Sequence, residues 1–276
     1  MRLPAWHAHP DVWLLFGSAV TFYLIACRRH LRDTGEATPV RRTRLFVLGV
    51  AILWVGADWP IHDLAERYLY SVHMAQHILF TLVAAPILIA GTPAWMLRRL
   101  LAPRPVMAVF RRITRPLVAL VLFNAVLLFT HWPAVVTASV HSEWLHFGLH
   151  VMLTGSALIM WWPVMSPLPE LPALPAPGQM LYLFLQSLAP TIPASFLTFG
   201  DHPLYPVYST FPRIWGISAL TDQLVAGLLM KLVGGAILWG FIAVVFFRWH
   251  DQEQRDGWDP LSYRDVEREI RAGLSR

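Results

Sequence analysis

Apolar positions in this chain gather into seven long runs, near 11–27, 44–61, 72–91, 116–132, 145–163, 179–199 and 219–247. Each approaches the roughly 20 helical residues needed to cross a hydrocarbon core of about 30 Å. Asp58 and Pro60 interrupt the second run, which makes it the weakest. No basic stretch precedes the first run and no small-x-small site follows it, so it reads as a retained span rather than a signal peptide. The pattern predicts an all-α, polytopic membrane bundle of about seven transmembrane helices. Residues 1–250 would form the transmembrane domain and 251–276 a cytoplasmic tail.

The polar stretches between the runs are short. Segment 92–115 carries Arg98, Arg99, Arg111 and Arg112 and predicts one short interfacial helix facing anionic headgroups. The proline-spaced stretch 166–178 (SPLPELPALPAPG) predicts an extended, stiff spacer. The tail mixes both signs of charge and predicts an amphipathic helix from about Tyr263.

Composition agrees. Charged residues are 14% of the 276, against about a quarter in a soluble domain, and hydrophobic residues are 56%, which leaves no room for a separate soluble unit. The single cysteine, Cys27, excludes an internal disulfide and dithiol chemistry. A net charge of +5 would fit nucleic acid, but its placement argues otherwise. With the N-terminus outside, the inner segments hold eighteen arginines and the outer ones only Arg2, Arg67 and Arg213. That asymmetry is an orientation signal: N-terminus outside, C-terminus inside, in the cell membrane.

Histidine has the opposite bias. Ten of twelve (His7, His9, His62, His73, His77, His131, His141, His146, His150 and His202) fall in outer segments or outer helical turns, leaving His30 and His250 inside. His73 and His77 are spaced i,i+4 at the start of the third span, and His146 and His150 at the start of the fifth. Residues four apart share a helix face, so both rings of a pair can address one ion. His131 ends the fourth span at the same depth. An isolated pair of this kind is as readily an interhelical hydrogen-bonding device; two pairs and a fifth histidine at one depth favour metal. The seventh span adds Asp222 at its outer end, with Gln223, Gly227 and Met230 on one face. The small Gly227 predicts close approach of a neighbouring helix. Lys231, the only lysine, lies about 18 Å into that span and is expected to point into the bundle beneath the histidines.

Imidazoles with nearby thioethers (Met74, Met152, Met230) and no cysteine cluster favour copper, with zinc left open. The strings SVHMAQHILFTLVAAPILIAGTP (71–93), HWP (131–133), the His146–His150–Gly155–Trp161-Trp162-Pro163-Val164 stretch and DQLVAGLLMK (222–231) resemble the multi-span CtaG family of cytochrome c oxidase assembly factors. The resemblance runs from about 10 to 250. Carried over by position, it picks out His73, Met74, Gln76, His77, His131, His146, His150, Asp222, Gln223, Gly227 and Met230. Of these His73, Met74, His77, His131, His146, His150, Asp222 and Met230 are the expected metal ligands. Where many members read Met-Trp-x-Pro-Gly, this chain has Met230-Lys231-Leu232-Val233-Gly234. The resemblance implies a non-enzymatic factor with copper as its metal. Its partners would be haem–copper oxidase subunits, the lipid bilayer and a copper donor protein, with no nucleic acid. Two other classes compete: a membrane cytochrome with histidine axial ligands, and a small transporter suggested by Lys231 and the prolines within spans.

Overall fold

The computed structural model describes residues 5–256 and, in the tail, 266–268, 270–272 and 274. All regular structure among the described residues is helical. Five helices are long and apolar enough to cross a membrane, and two bent helix pairs raise the number to seven. Tyr263 lies outside the described residues; those described further along the tail are helical.

The first crossing, α1 (Pro10–Thr34), stops at Gly35, which at φ 74° takes the left-handed cap that glycine adopts without strain. It lies at the edge of the bundle, with only Tyr23 buried, and the Tyr23 hydroxyl donates to the Gly91 carbonyl at 3.0 Å. Next, α2 (Val40–Ala57) ends where Asp58 and Pro60 fall, and the chain turns by 43° into the short α3 (Ile61–Arg67). The interruption seen in the sequence is thus a bend. Three glycines let α2 press against the third crossing: Gly49 against Leu88, Gly56 against Phe80, and Gly91 against the backbone of Phe46.

The third crossing combines α4 (Tyr70–Ile78), a π turn over Leu79–Ala84 and α5 (Ala85–Gly91). Pro86 explains the π turn. It brings no N–H to the ladder and its ring crowds the preceding turn, so the helix widens there instead of breaking. The Thr81 carbonyl within that turn accepts a hydrogen bond from Trp161 Nε1 at 2.8 Å.

Segment 92–115 forms two short helices, α6 (Ala94–Leu100) and α7 (Arg104–Ile113), not the single one expected. Pro103 separates them, since it cannot continue α6, and Pro105 sits in the first turn of α7, where its missing N–H costs nothing. From α7 the chain turns by 79° into α8 (Pro116–Thr130). At 15 residues, α8 is only about 22 Å long. After α9 (Pro133–Val140) comes α10 (Glu143–Met165), capped by the Ser142 hydroxyl, which accepts from the Leu145 N–H.

The proline-spaced stretch is irregular, as expected, but it is packed rather than a free spacer. Leu168 and Leu171 are buried against Trp162 and Leu101. Arg98 donates to Glu170 at 2.8 Å, tying the stretch to α6. A broken crossing follows, α11 (Ala176–Leu188) and α12 (Thr191–Phe199), interrupted at Ala189–Pro190. The last crossing is α13 (Ala219–Leu228), a second π turn (Leu229–Gly234) and α14 (Gly235–Asp256), which carries the helix past residue 247 into the tail.

The apolar core joins the third, fourth, fifth, sixth and seventh crossings through Leu82, Phe123, Leu153, Trp161, Leu183 and Leu238. The alternation of helix directions leaves two unlike ends. One gathers the histidines and the loop 200–218; the other gathers most of the arginines.

Candidate metal centre

At the histidine end, α4, α8 and α10 bring five imidazoles together. The His73 and His77 ring centroids lie 4.4 Å apart, and those of His146 and His150 lie 4.5 Å apart. Across the helices, His73 is 5.2 Å from His146 and 5.3 Å from His150, while His77 is 5.1 Å from His150 and 5.5 Å from His131. The i,i+4 spacing stacks each pair on one face, and the packing of α10 against α5 and the π turn of the third crossing leaves those faces opposite each other. Donor nitrogens of His73, His146 and His150 all lie within 4.8 Å of one another.

The hydrogen bonding is short of partners. His150 Nε2 and His146 Nε2 approach to 2.7 Å. The Nδ1 atoms of His73, His77 and His150 are buried and have no hydrogen-bond partner. Buried polar atoms in folded proteins nearly always have a partner. These three nitrogens are free to bind an ion, and the donors close enough to share one belong to His73, His146 and His150.

His131 has a different and informative arrangement. Its Nδ1 lies 2.7 Å from the Leu127 carbonyl, which can only accept, so Nδ1 carries the proton. Nε2 then presents its lone pair 3.3 Å from the Met74 sulfur. A backbone carbonyl fixing one nitrogen while the other faces the site is the usual support of a ligating histidine. Below lies a cavity of about 60 Å³ whose lining includes Met74, His77, His131, Met160, Gln186 and Met230. A porphyrin needs far more space than this.

Asp222 does not join the imidazoles. It is almost fully buried, and its two oxygens accept from the backbone N–H groups of Tyr70 and Ser71 at 2.7 and 3.0 Å. These are orphan donors of the first turn of α4, so Asp222 caps from a distance the helix that carries His73 and His77. Gln223 clamps Tyr205, accepting from its N–H at 3.1 Å and donating to its carbonyl at 3.0 Å. The Tyr205 hydroxyl donates to the His131 carbonyl at 2.8 Å, so the loop 200–218 is pinned over the site. Gly227 allows the expected close approach: a Cβ there would fall 2.6 Å from Thr198 Oγ1 and 2.8 Å from the Ala194 carbonyl oxygen. Gln76 is buried and donates to the Gly56 carbonyl at 2.6 Å, joining α4 to α2.

Two expectations are corrected. Met152 is 36% exposed and turns away from the cluster, because it falls on the opposite face of α10 from His150. Lys231 does not line the cavity; its Nζ sits 4.6 Å from the Phe199 ring centroid, at the last residue of α12. The long side chain climbs from the interior toward the loop at the histidine end, the snorkelling that its depth argued against.

Sequence reasoning missed Glu66. Its Oε1 lies 3.2 Å from His146 Nε2 and 3.4 Å from His62 Nε2. The one available signal was its i,i+4 spacing from His62. His62 in turn stands 6.3 Å from His146, ring to ring. His141 and His202 are exposed, and His141 Nδ1 donates to the Thr137 carbonyl of its own helix.

Among known families, the one described as cytochrome c oxidase caa3 assembly factor matches residues 21–252, most of the chain. No curated protein and no solved structure gives a significant match.

Proposed function

The chain belongs to the family of cytochrome c oxidase caa3 assembly factors, and from that membership we propose that it carries copper as cargo in the imidazole cluster. The cluster faces the outer side of the cell membrane, and the ion passes to a haem–copper oxidase subunit during assembly. The observation that carries this reading is the approach of donor nitrogens of His73, His146 and His150 to within 4.8 Å of one another, with the Nδ1 atoms of His73 and His150 buried and partnerless.

His73, His77, His146 and His150 would hold the ion, with His131 and Met74 beneath them. Met230 borders the cavity below and offers a further thioether. Neutral nitrogen and thioether donors select Cu(I) over harder ions, whereas imidazoles with Glu66 alone would also suit zinc. Asp222 stays outside the ligand set and holds the start of α4 in place. The role that fits an assembly-factor family is non-catalytic: binding, shielding and release. Transfer needs ligands that exchange. A few neutral donors near a helix end, under a loop held by side chains, meet that need better than a closed cage of thiolates.

The test is metal analysis of the detergent-purified chain, before and after Cu(I) loading against a competing chelator. Wild type should retain copper. Replacing His73 and His77 together, or His146 and His150 together, by Ala should weaken Cu(I) binding at least 10–100-fold. Undiminished affinity in both double variants would falsify the copper reading.

A further inference from the structure

The chain ahead of α1 places a second group of donors beside α3. His9 Nε2 lies 3.0 Å from Asp63 Oδ2, and the His7 and His9 rings stand 5.0 Å apart. One donor atom from each of His7, His9 and Asp63 falls within 4.8 Å of the others. Asp63 is 3% exposed, and its other neighbour, Arg67 Nε, is distant at 3.9 Å on a side chain 57% exposed. A carboxylate withdrawn this far from water needs a close positive charge. Here it has a solvated guanidinium at the limit of contact and an imidazole. His7 is exposed and leaves the group open on one side.

We infer that His7, His9 and Asp63 form a second metal site, separate from the five-imidazole cluster and built for a divalent ion of borderline softness, Cu(II) or Zn(II). Two imidazoles and a carboxylate match the nitrogen and oxygen donors such ions take, with a further position left to water. An ion there supplies the charge that Asp63 lacks and ties the N-terminal segment to α3. The donor set also differs in kind from the cluster: it holds a carboxylate and no thioether, so it prefers the higher charge.

Donors continue from this site to the cluster. His62 lies 5.0 Å from His9, ring to ring, and Glu66 stands between His62 and His146 at 3.4 and 3.2 Å. The steps are short enough for an ion to move from one set of ligands to the next without entering bulk water. For an ion that arrives as Cu(I), the site serves as a weak entry position, passing it to the cluster with no change of oxidation state; that role rests on the copper reading above, and the site itself does not.

The experiment titrates Zn(II) against a chromophoric chelator, using the full chain in detergent. It compares wild type with His7→Gln/His9→Gln, with His73→Gln/His150→Gln and with the fourfold variant. Helical content and thermal unfolding are checked by circular dichroism, because His9 touches the bundle at Asp63 and His62. Wild type should bind two ions, each double variant one, and the fourfold variant none. Unchanged stoichiometry and affinity in His7→Gln/His9→Gln overturns the second site. Loss of an ion there, with none lost from His73→Gln/His150→Gln, keeps the second site and shows that the cluster refuses zinc, as a Cu(I)-selective donor set would. Entry has its own readout, the rate of Cu(I) uptake into the cluster by stopped flow. It should fall about tenfold in His7→Gln/His9→Gln with the equilibrium Cu(I) affinity unchanged. An unchanged rate removes the entry role.

Discussion

The two ends of this bundle use their polar residues in opposite ways. At the histidine end they turn inward: His131 and His146 are 6% and 8% exposed, and Asp222 and Gln223 are buried outright. At the arginine end they turn outward: the side chains of Arg32 and Arg255 are each about three-quarters exposed. Arg98 meets Glu170 in the open, where the guanidinium holds that carboxyl below the usual carboxylate range. The chemistry of the side chains accounts for the contrast. An imidazole can shed its charge and enter a packed interior, whereas a guanidinium cannot and must stay wet. One end can therefore build a site, and the other keeps its charges in water.

The comparison breaks most completely if the two ends do not face opposite sides of a membrane. The arginine asymmetry predicts that a reporter active only in the periplasm works when fused within 132–144 and fails within 98–112, with a cytoplasmic reporter giving the reverse. Activity of the cytoplasmic reporter at 132–144 would place the histidines inside and end the case for outward copper handling.

A smaller effect sharpens the account of the histidine end. Asp222→Asn keeps the size of the side chain but leaves one backbone N–H of Tyr70 or Ser71 facing an amide NH2. Buried hydrogen bonds to a charged group contribute about 1.5–3 kcal/mol, so unfolding in detergent should move several degrees lower. If Asp222 acts only through α4, Cu(I) affinity should fall less than in the histidine double variants. A loss equal to theirs would put Asp222 among the ligands.

How legible these ends were depends on the range of the interactions behind them. Apolar runs gave the crossings, because burial in lipid is written residue by residue along the chain. The pairs His73–His77 and His146–His150 were legible for a similar reason: i,i+4 spacing is a local fact that becomes a shared face. Their convergence across α4 and α10 was an inference from common depth, and the ring distances bear it out. Glu66 and the His9–Asp63 contact were not legible, since they depend on the 43° turn into α3, which carries Glu66 to His146 and Asp63 to His9. Asp222 was misread for a related reason. A carboxylate level with histidines suggests a ligand, and only the packing of α13 against α4 reveals two backbone N–H groups waiting for it. The π turns were equally hidden: Pro86 follows one of them, but no proline follows Leu229–Gly234 within the last crossing.

Lys231 is the position where the smallest effect is expected, and it tests whether the contrast between the ends holds in between. It is the one lysine of the chain and starts deep in the last crossing, so a role guarding the cavity beneath the histidines was a natural expectation. The structure gives it another task. Its Nζ rests 4.6 Å from the Phe199 ring, a ring that is itself 76% exposed, on the outward side of α12. Met230, the preceding residue, faces the cavity instead. A step of one residue turns a helix by about 100°, which carries Lys231 off the face that Met230 turns to the cavity. An exposed cation–π contact contributes about 0.5–1 kcal/mol. Replacing Lys231 by Met removes that contact and also removes a charge from an apolar setting, and the two changes oppose each other. Lys231→Met should therefore leave thermal stability within about 1 kcal/mol of wild type and leave Cu(I) affinity unchanged. The neighbouring Met230→Ala, which deepens the cavity and deletes a thioether, should weaken Cu(I) binding instead. A tenfold loss of Cu(I) affinity in Lys231→Met would mean that the ammonium acts on the cluster after all, and that charge is tolerated at the histidine end.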